Sequence, residues 1–206
     1  EPTPEEVAKA LDIDPEKAVD LSAKMDSTGK LIWDIPEGNW EIVRYVCFPS
    51  GQQMMGHTKL STGPMIDHFS AKAAEAHMMH FISKFEKKLG PLNKTALKYL
   101  YSDSYEVHSY EIKNELIWTP DLVEEFSKRI GYDIVKYIPA LYGYTVKDKE
   151  TTERFLYDFR KTMSDLIIEN HYAKGNEVCR KYGIGFNAEA GGPGKPLHDC
   201  PFESIK

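Results

Sequence analysis

The sequence predicts a mixed α/β protein of 206 residues, and two observations carry this prediction. Residues 17–48 alternate polar and apolar side chains in short runs rich in Ile, Val, Trp, Tyr and Phe, which is typical of antiparallel strands. In residues 65–206, short apolar runs alternate with segments of helical periodicity, which predicts parallel strands connected by helices. The pattern changes across a weakly patterned connector at 49–64, so we predict one unit over 1–55 and a second over 65–206.

The composition argues against several classes of protein. Hydrophobic residues make up 41% of the chain and charged residues 28%, a balance typical of globular domains and unlike that of disordered chains. A net charge of -6 argues against nucleic acid or an anionic membrane as the main partner. No apolar run approaches the roughly 20 residues of a membrane helix, and the acidic start EPTPEEVAKAL does not have the pattern of a signal peptide.

Motifs for disulfides and metals are weak. Cys47, Cys179 and Cys200 have neither CxxC spacing nor a zinc-finger arrangement, so we predict buried free thiols. His77 and His80 have a spacing that can bind a metal on a helix, but no third ligand is evident. An ordinary helix surface is therefore the better interpretation of this pair.

The first unit is predicted to begin with a helix and to continue as strands. Thr3, Pro4 and Glu6 form a capping pattern that predicts a short helix reaching position 11. The turn signals STG and PEGN separate runs such as KLIWDI and WEIVRYVCF, which predicts an antiparallel meander over 17–48. Because three short strands do not make a stable domain alone, this unit is expected to be the end of a larger β-sandwich.

The second unit is predicted to open with a helix that begins at Ser70 and ends at Gly90. A strand over 97–103 follows it. The apolar face of this helix is predicted to comprise Ala74, Met78, Phe81, Ile82, Phe85 and Leu89.

Further helices and a second strand complete the unit. Thr119 is the predicted N-cap of a helix that stops at Gly131, and a short helical piece broken by Pro139 follows. A long helix over 150–183 leads into a strand over 184–189. The apolar face of the long helix is predicted to comprise Phe155, Phe159, Met163, Leu166 and Ile167.

Carboxylates follow both predicted parallel strands. Asp103 and Glu106 come at the end of the first strand, and Glu189 ends the second. The carboxyl ends of parallel strands meet at one edge of a sheet, so these side chains are expected to share a rim. Two carboxyl groups flanking one bond are what glycoside hydrolysis needs, since one protonates the leaving oxygen and the other activates water or attacks the sugar.

Aromatic residues near these acids are suitable for binding a sugar. Tyr105, Tyr110 and Trp118 offer flat faces of the kind that pack on sugar rings, and Tyr105 and Trp118 are the predicted substrate-binding aromatics. Solvated acids in ordinary loops are the alternative interpretation of the whole cluster, because Asp and Glu are common in loops.

Six segments resemble glycoside hydrolase family 106, the α-L-rhamnosidases. The DS-aromatic-E element and the GYD…PALYG block are specific when they occur together in this order, and the resemblance extends from about residue 17 to the end. The segments are GNWEIVRY, IDHFSAKA, LKYLYSDSYE, WTPDLVEEFSKRIGYDIVKYIPALYG, FLYDFRKTMSDLIIENHY and NAEAGGPGKPLHDCPFESIK.

The resemblance implies a large multidomain enzyme with a (β/α)₈ barrel and accessory β domains. Residues 65–206 would then be the first part of a TIM-type barrel, and residues 1–55 the end of a β-sandwich. The implied activity is inverting hydrolysis of terminal α-L-rhamnose from complex glycans. A calcium ion near the sugar and a periplasmic or extracellular location in bacteria are implied with it.

The resemblance also implies roles for individual residues. Glu106 matches the acid after DS-aromatic and would be the general acid, while Asp103 would orient the site. Glu189 matches the carboxylate of the AEA strand end and would bind calcium or substrate. The loop between Glu106 and Trp118 is longer than the usual one in the family, so the leaving-group subsite is expected to differ.

The family's general base, in a GEFW-like strand, is not matched within these 206 residues. The chain is therefore expected to be an internal fragment that is inactive in isolation. Two alternatives stay open: a non-catalytic carbohydrate-binding or scaffold protein, and a glycosidase of another specificity on the same scaffold.

Overall fold

A computed structural model describes residues 13–51, 53, 57–60, 62–103 and 116–189. Four α-helices, two β-strands, three 3₁₀ helices and one π-helical segment are found in these ranges. The α-helices are α1 (Ala71–Leu89), α2 (Leu122–Ile130), α3 (Lys149–Ile167) and α4 (Lys174–Lys181); the strands are β1 (Tyr99–Ser102) and β2 (Gly185–Ala188); the 3₁₀ helices are Ser22–Lys24, Leu92–Lys94 and Val135–Tyr142; the π segment is Ile168–Ala173.

Strands β1 and β2 form a parallel two-stranded sheet. Tyr99 pairs with Gly185, and the register continues to Ser102 opposite Ala188. The predicted α/β class and the parallel pairing of these strands are therefore confirmed. The closed barrel and the β-sandwich stay predictions, as do the two domain boundaries.

Helix α1 has the predicted limits but not the full predicted face. Ser70 Oγ accepts a hydrogen bond from the Ala73 amide at 3.4 Å, and Gly90 ends the helix with φ 78°. Phe81, Phe85 and Leu89 are 45%, 36% and 55% exposed, so their assignment to the core was wrong. The reason is that α1 packs against α4 along a narrower stripe, which comprises Ala74, Met78 and Ile82.

Helix α2 begins two residues later than predicted. Its N-cap is Asp121, and the Thr119 hydroxyl instead donates to Asp67 Oδ2 at 2.6 Å in the segment that precedes α1. The hydroxyl that was expected to cap the helix is therefore engaged in a long-range hydrogen bond instead. The predicted stop at Gly131 is confirmed, since this residue has the left-handed φ of 93°.

The predicted long helix is interrupted by a wider turn. Helices α3 and α4 are joined without a break by the π segment Ile168–Ala173. The predicted apolar face of α3 is confirmed as buried and, with Leu122 and Phe126 of α2, belongs to the first core. The second core lies between α1, α4 and the start of β2 and comprises Met78, Ile82, Leu92, Val178, Cys179 and Ile184.

The predicted meander over 17–48 is reduced to a single antiparallel bridge. Met25 pairs with Leu31 around the STG turn, where the Asp26 amide donates to the Lys30 carbonyl at 3.0 Å. No strand lies between 32 and 48, and apolar side chains there such as Trp40 are exposed. Alternation of polar and apolar side chains predicts that one face of a segment is buried. A β-strand also requires a neighbouring backbone to hydrogen-bond with, and the pattern does not supply one. Cys47 is also exposed, contrary to prediction, whereas Cys179 is buried as expected.

Candidate active site

Among the described residues, the sheet has one face that packs against the helices and an opposite face whose side chains are exposed. Leu100 and Phe186 alternate onto the helix side, and Phe186 packs against both cores. Tyr99 and Tyr101 of β1 and Asn187 of β2 lie on the opposite face, and all three are exposed. Asp103 and Glu189, which follow the two strands, lie on this same face.

Asp103 and Glu189 lie side by side in register at the carboxyl end of the sheet. Ser102 pairs with Ala188, so the two acids are the first residues after the paired strands. The Glu189 amide donates to the Ser102 carbonyl at 3.1 Å, which extends the ladder by one step. Asp103 and Glu189 therefore lie at one rim, while Glu106, the third acid expected there, lies outside the described residues.

Two tyrosines that sequence reasoning missed bind Glu189. The Tyr101 hydroxyl donates to Glu189 Oε1, and this hydrogen bond is the main reason that the pKa of Tyr101 is raised to about 12. The Tyr172 hydroxyl donates to the Glu189 carbonyl at 3.2 Å. Tyr101 is two positions before Asp103 and therefore points to the same face of the strand, which could have identified it from the sequence. Tyr172 lies in the π segment, where helical periodicity gives no guide.

The segment before α1 is tied to the π segment by polar contacts. Asn170 Nδ2 donates to the Phe69 carbonyl at 2.6 Å. The Nδ1 atoms of His68 and His171 are 3.0 Å apart. Burial lowers the pKa of His68 to about 3 and that of His171 to about 4, so both rings are neutral at pH 7. These contacts fix the backbone that presents Tyr172 to the rim.

The remaining predicted site residues are not brought to this rim by any described contact. Trp118 is half-buried and packs against the first core. Glu106 and Tyr105 lie outside the described residues, as do Tyr110 and the predicted helix near the start of the chain. Their roles stay predictions.

The described residues alone do not form a calcium site. Within them there is no group of three or more His, Cys, Asp or Glu side chains that could hold a metal ion, including around His77 and His80. Calcium takes six to eight oxygen ligands, so Glu189 by itself is one candidate ligand and not a site. Also within the described part, no helix has the length and apolar character to cross a membrane.

Three comparisons with known proteins agree on the class of protein. Residues 1–200 match the family 106 glycoside hydrolase description, alpha-L-rhamnosidase. The chain is 36% identical over 177 residues to a Formosa agariphila protein named "Putative beta-glucuronidase", covering 86% of this chain and 15% of that protein. It superposes on a rhamnosidase from Novosphingobium sp. PP1Y with a TM-score of 0.73 and 28% identity, covering 90% of this chain and 18% of that one.

The chain thus spans less than a fifth of the length of either relative. The family match covers both the segment before α1 and the α/β part that carries Asp103 and Glu189. The resemblance predicted from the six sequence segments is confirmed. The chain belongs to glycoside hydrolase family 106, the alpha-L-rhamnosidases.

Proposed function

We propose that this chain is part of a glycoside hydrolase that releases terminal α-L-rhamnose from complex glycans with inversion of configuration. The observation that carries the proposal is the parallel pairing of β1 with β2, which brings Asp103 and Glu189 to one edge of the sheet. Carboxylates at the carboxyl ends of parallel strands are the usual source of catalytic groups in barrels. Family membership supports a glycan as the substrate.

Each acid has a distinct proposed role. Glu106 protonates the glycosidic oxygen as its bond to the sugar breaks, and a carboxylate base takes a proton from the water that attacks the opposite face. Asp103 orients the rim, and Glu189 binds the sugar or a calcium ion. Tyr105 and Trp118 provide aromatic faces for the sugar ring.

A substrate panel tests the sugar specificity. The full-length protein that contains this sequence should hydrolyse α-L-rhamnosides and release the β-anomer first, which NMR of the fresh product detects. The panel should include a β-glucuronide, because the Formosa agariphila relative carries the name of a β-glucuronidase. Cleavage of the glucuronide alone would establish the alternative specificity, and binding without cleavage of any glycoside would establish the carbohydrate-binding alternative.

A leaving-group comparison tests the general acid. Glu106→Gln keeps the side-chain shape but loses the proton, so hydrolysis of unactivated rhamnosides should fall by roughly 10²–10⁴-fold. A dinitrophenyl rhamnoside, whose leaving group needs no proton, should be cleaved at a rate much closer to that of the wild type. Glu111→Gln, in the same stretch, is the matched control. Equal losses on both substrates would remove Glu106 from the acid role.

We further propose a bacterial protein that acts in the periplasm or outside the cell, where complex glycans are met. Fractionation of the source cells, with activity followed in each fraction, tests this location. Recovery of the activity in the cytoplasmic fraction would contradict it.

A further inference from the structure

The side chain of Glu189 is exposed and has three rotatable bonds, so its orientation requires a partner. The Tyr101 hydroxyl donates to its Oε1 atom. Tyr101 lies on β1, on the same exposed face as Glu189, and is directly opposite Asn187 in the register. A tyrosine ring has only two side-chain torsions, so a strand-borne phenol holds a carboxylate in a narrow range of positions.

The backbone of Glu189 is held separately from its carboxylate. Its amide donates to the Ser102 carbonyl at 3.1 Å, and its carbonyl accepts from the Tyr172 hydroxyl at 3.2 Å. Tyr172 is 6% exposed and packs edge-to-face on His171, with the ring centroids 4.8 Å apart. Both tyrosines lie at some distance along the chain from the acid, so neither contact follows from local geometry.

The π segment sets the position of Tyr172. An i→i+5 turn changes the direction in which later side chains leave the helix, and such turns are frequent at functional sites. Here the turn places two adjacent buried residues, His171 and Tyr172, against the end of the sheet, where His171 also contacts Phe186.

We infer that Tyr101 and Tyr172 are positioning residues that fix Glu189 for its ligand, Tyr101 through the carboxylate and Tyr172 through the backbone. This inference rests on the proposed function, in which Glu189 binds the sugar side of the site. Neither tyrosine is required to touch the sugar. Each acts through Glu189.

The test uses three tyrosine-to-phenylalanine variants of the full-length protein. Tyr101→Phe and Tyr172→Phe each remove one hydroxyl and leave the ring in place. Tyr99→Phe is the control, because Tyr99 lies on the same strand and face but its ring covers Gly185. Loss of a group that orients a metal-binding side chain typically costs roughly 10–100-fold in metal affinity or activity, and we expect a loss at the lower end of this range for a carboxylate that binds a sugar. We therefore expect Tyr101→Phe to raise KM and the Kd for the product sugar by about tenfold, with kcat within about threefold of wild type.

A double-variant cycle separates positioning from a general structural role. In a Glu189→Ala background, Tyr101→Phe should produce no further loss of sugar binding, because the group that it positions is absent. Crystal structures should show the Glu189 carboxylate displaced in Tyr101→Phe and its backbone displaced in Tyr172→Phe. Equal binding losses for Tyr99→Phe and Tyr101→Phe, additive losses in the cycle, or an unmoved Glu189 would overturn the inference.

The two proposals fail in different ways. If the wild-type protein cleaves a sugar other than rhamnose, the cycle is run with that sugar, and the positioning inference is still tested. If it cleaves no glycoside, the displacement of Glu189 in the two crystal structures decides the inference alone. The proposed function is decided by the wild-type substrate panel and not by any tyrosine variant.

Discussion

His68 and His171 face each other with their Nδ1 atoms 3.0 Å apart, although 103 positions separate them in the chain. Burial lowers the pKa of His68 to about 3 and that of His171 to about 4, and His77 contributes by charge repulsion. An unfolded chain would protonate these rings near pH 6.5. The folded chain therefore binds fewer protons than the unfolded chain between about pH 6.5 and pH 4.

The chain should lose stability as the pH falls through this window. Because the folded pKa values are lowered, the contribution of these rings to the free energy of unfolding is highest above pH 6.5 and decreases toward pH 4, by up to about 1.4 kcal/mol per pH unit for each ring. Urea denaturation at pH 7, 6 and 5 measures the slope. A His68→Asn/His171→Gln double variant should show a smaller slope over that range, while exposed His80→Gln should keep it. An unchanged slope in the double variant would contradict the assignment.

Substitution of Gly175 should destabilise the contact between α4 and the sheet. A Cβ atom there would lie 2.8 Å from Phe186 Cε1 and 2.9 Å from Met78 Cε, and Phe186 is packed between both cores. Overpacking typically lowers the free energy of unfolding by about 1–3 kcal/mol. The higher helix propensity of alanine raises it by only roughly 1 kcal/mol, so a net loss is expected. We expect Gly175→Ala to lower the free energy of unfolding by about 1 kcal/mol.

Gly63→Ala is the matched control for this measurement. Among the described residues other than its two chain neighbours, no atom lies within 4 Å of the position of its added Cβ, and its φ is not positive. Thermal or urea denaturation of both variants should show a loss for Gly175→Ala only. Equal stability of the two variants would mean that Phe186 moves aside without cost.

Glu189→Gln distinguishes a calcium ligand from a residue that takes part in the chemistry. A carboxamide is a weaker calcium ligand than a carboxylate, so the variant should show a KM raised on the order of tenfold and partly restored by added calcium. The measurement is kcat and KM across a calcium series in the full-length protein. Glu177→Gln, an exposed carboxylate on α4, should change neither. A collapse of kcat that calcium does not relieve would place Glu189 in the reaction itself.

Arg129 should contribute to stability through a fork of two carboxylates. Its Nε donates to Glu125 Oε2 on the same helix at 3.1 Å, and its Nη1 donates to Glu169 Oε1 of the π segment at 2.9 Å. Both contacts raise the pKa of Arg129. Because the group is partly exposed, Arg129→Gln should cost only about 1 kcal/mol, and the loss should shrink at high salt.

Arg129→Lys should recover only part of this loss, since an ammonium group cannot reproduce the planar fork. The control is Lys161→Gln, which removes an exposed contact with Asp165 one turn along α3. Urea denaturation at low and high salt should show no more than about 0.5 kcal/mol for this control. A larger loss for Lys161→Gln than for Arg129→Gln would contradict the network.

Local signals predicted the limits of α1 and the rim correctly. The Ser70 hydroxyl caps the start of the helix and the positive φ of Gly90 ends it, and both are local effects that need no other part of the chain. Asp103 and Glu189 were placed together because parallel strands bring their carboxyl ends to one edge, a rule that depends only on strand direction.

The errors arose where distant residues decide the outcome. Thr119 has the chemistry of an N-cap, but its hydroxyl bonds Asp67, 52 positions away. Phe81 and Phe85 satisfy helical periodicity, yet the width of the buried stripe depends on how closely α4 approaches. The apolar pattern of the long helix does not indicate where the π segment interrupts it. The position of Tyr172 could therefore not be predicted from the sequence.

The contact between Tyr101 and Glu189 also has a consequence for the order of folding. These residues are 88 positions apart, so their pairing closes a long loop and is entropically costly until the intervening helices have docked. Helices α1 and α3 are local structures that can form early. The rim should therefore be among the last parts to gain protection in pulse-labelled hydrogen exchange, so the candidate site is completed only when the fold is complete.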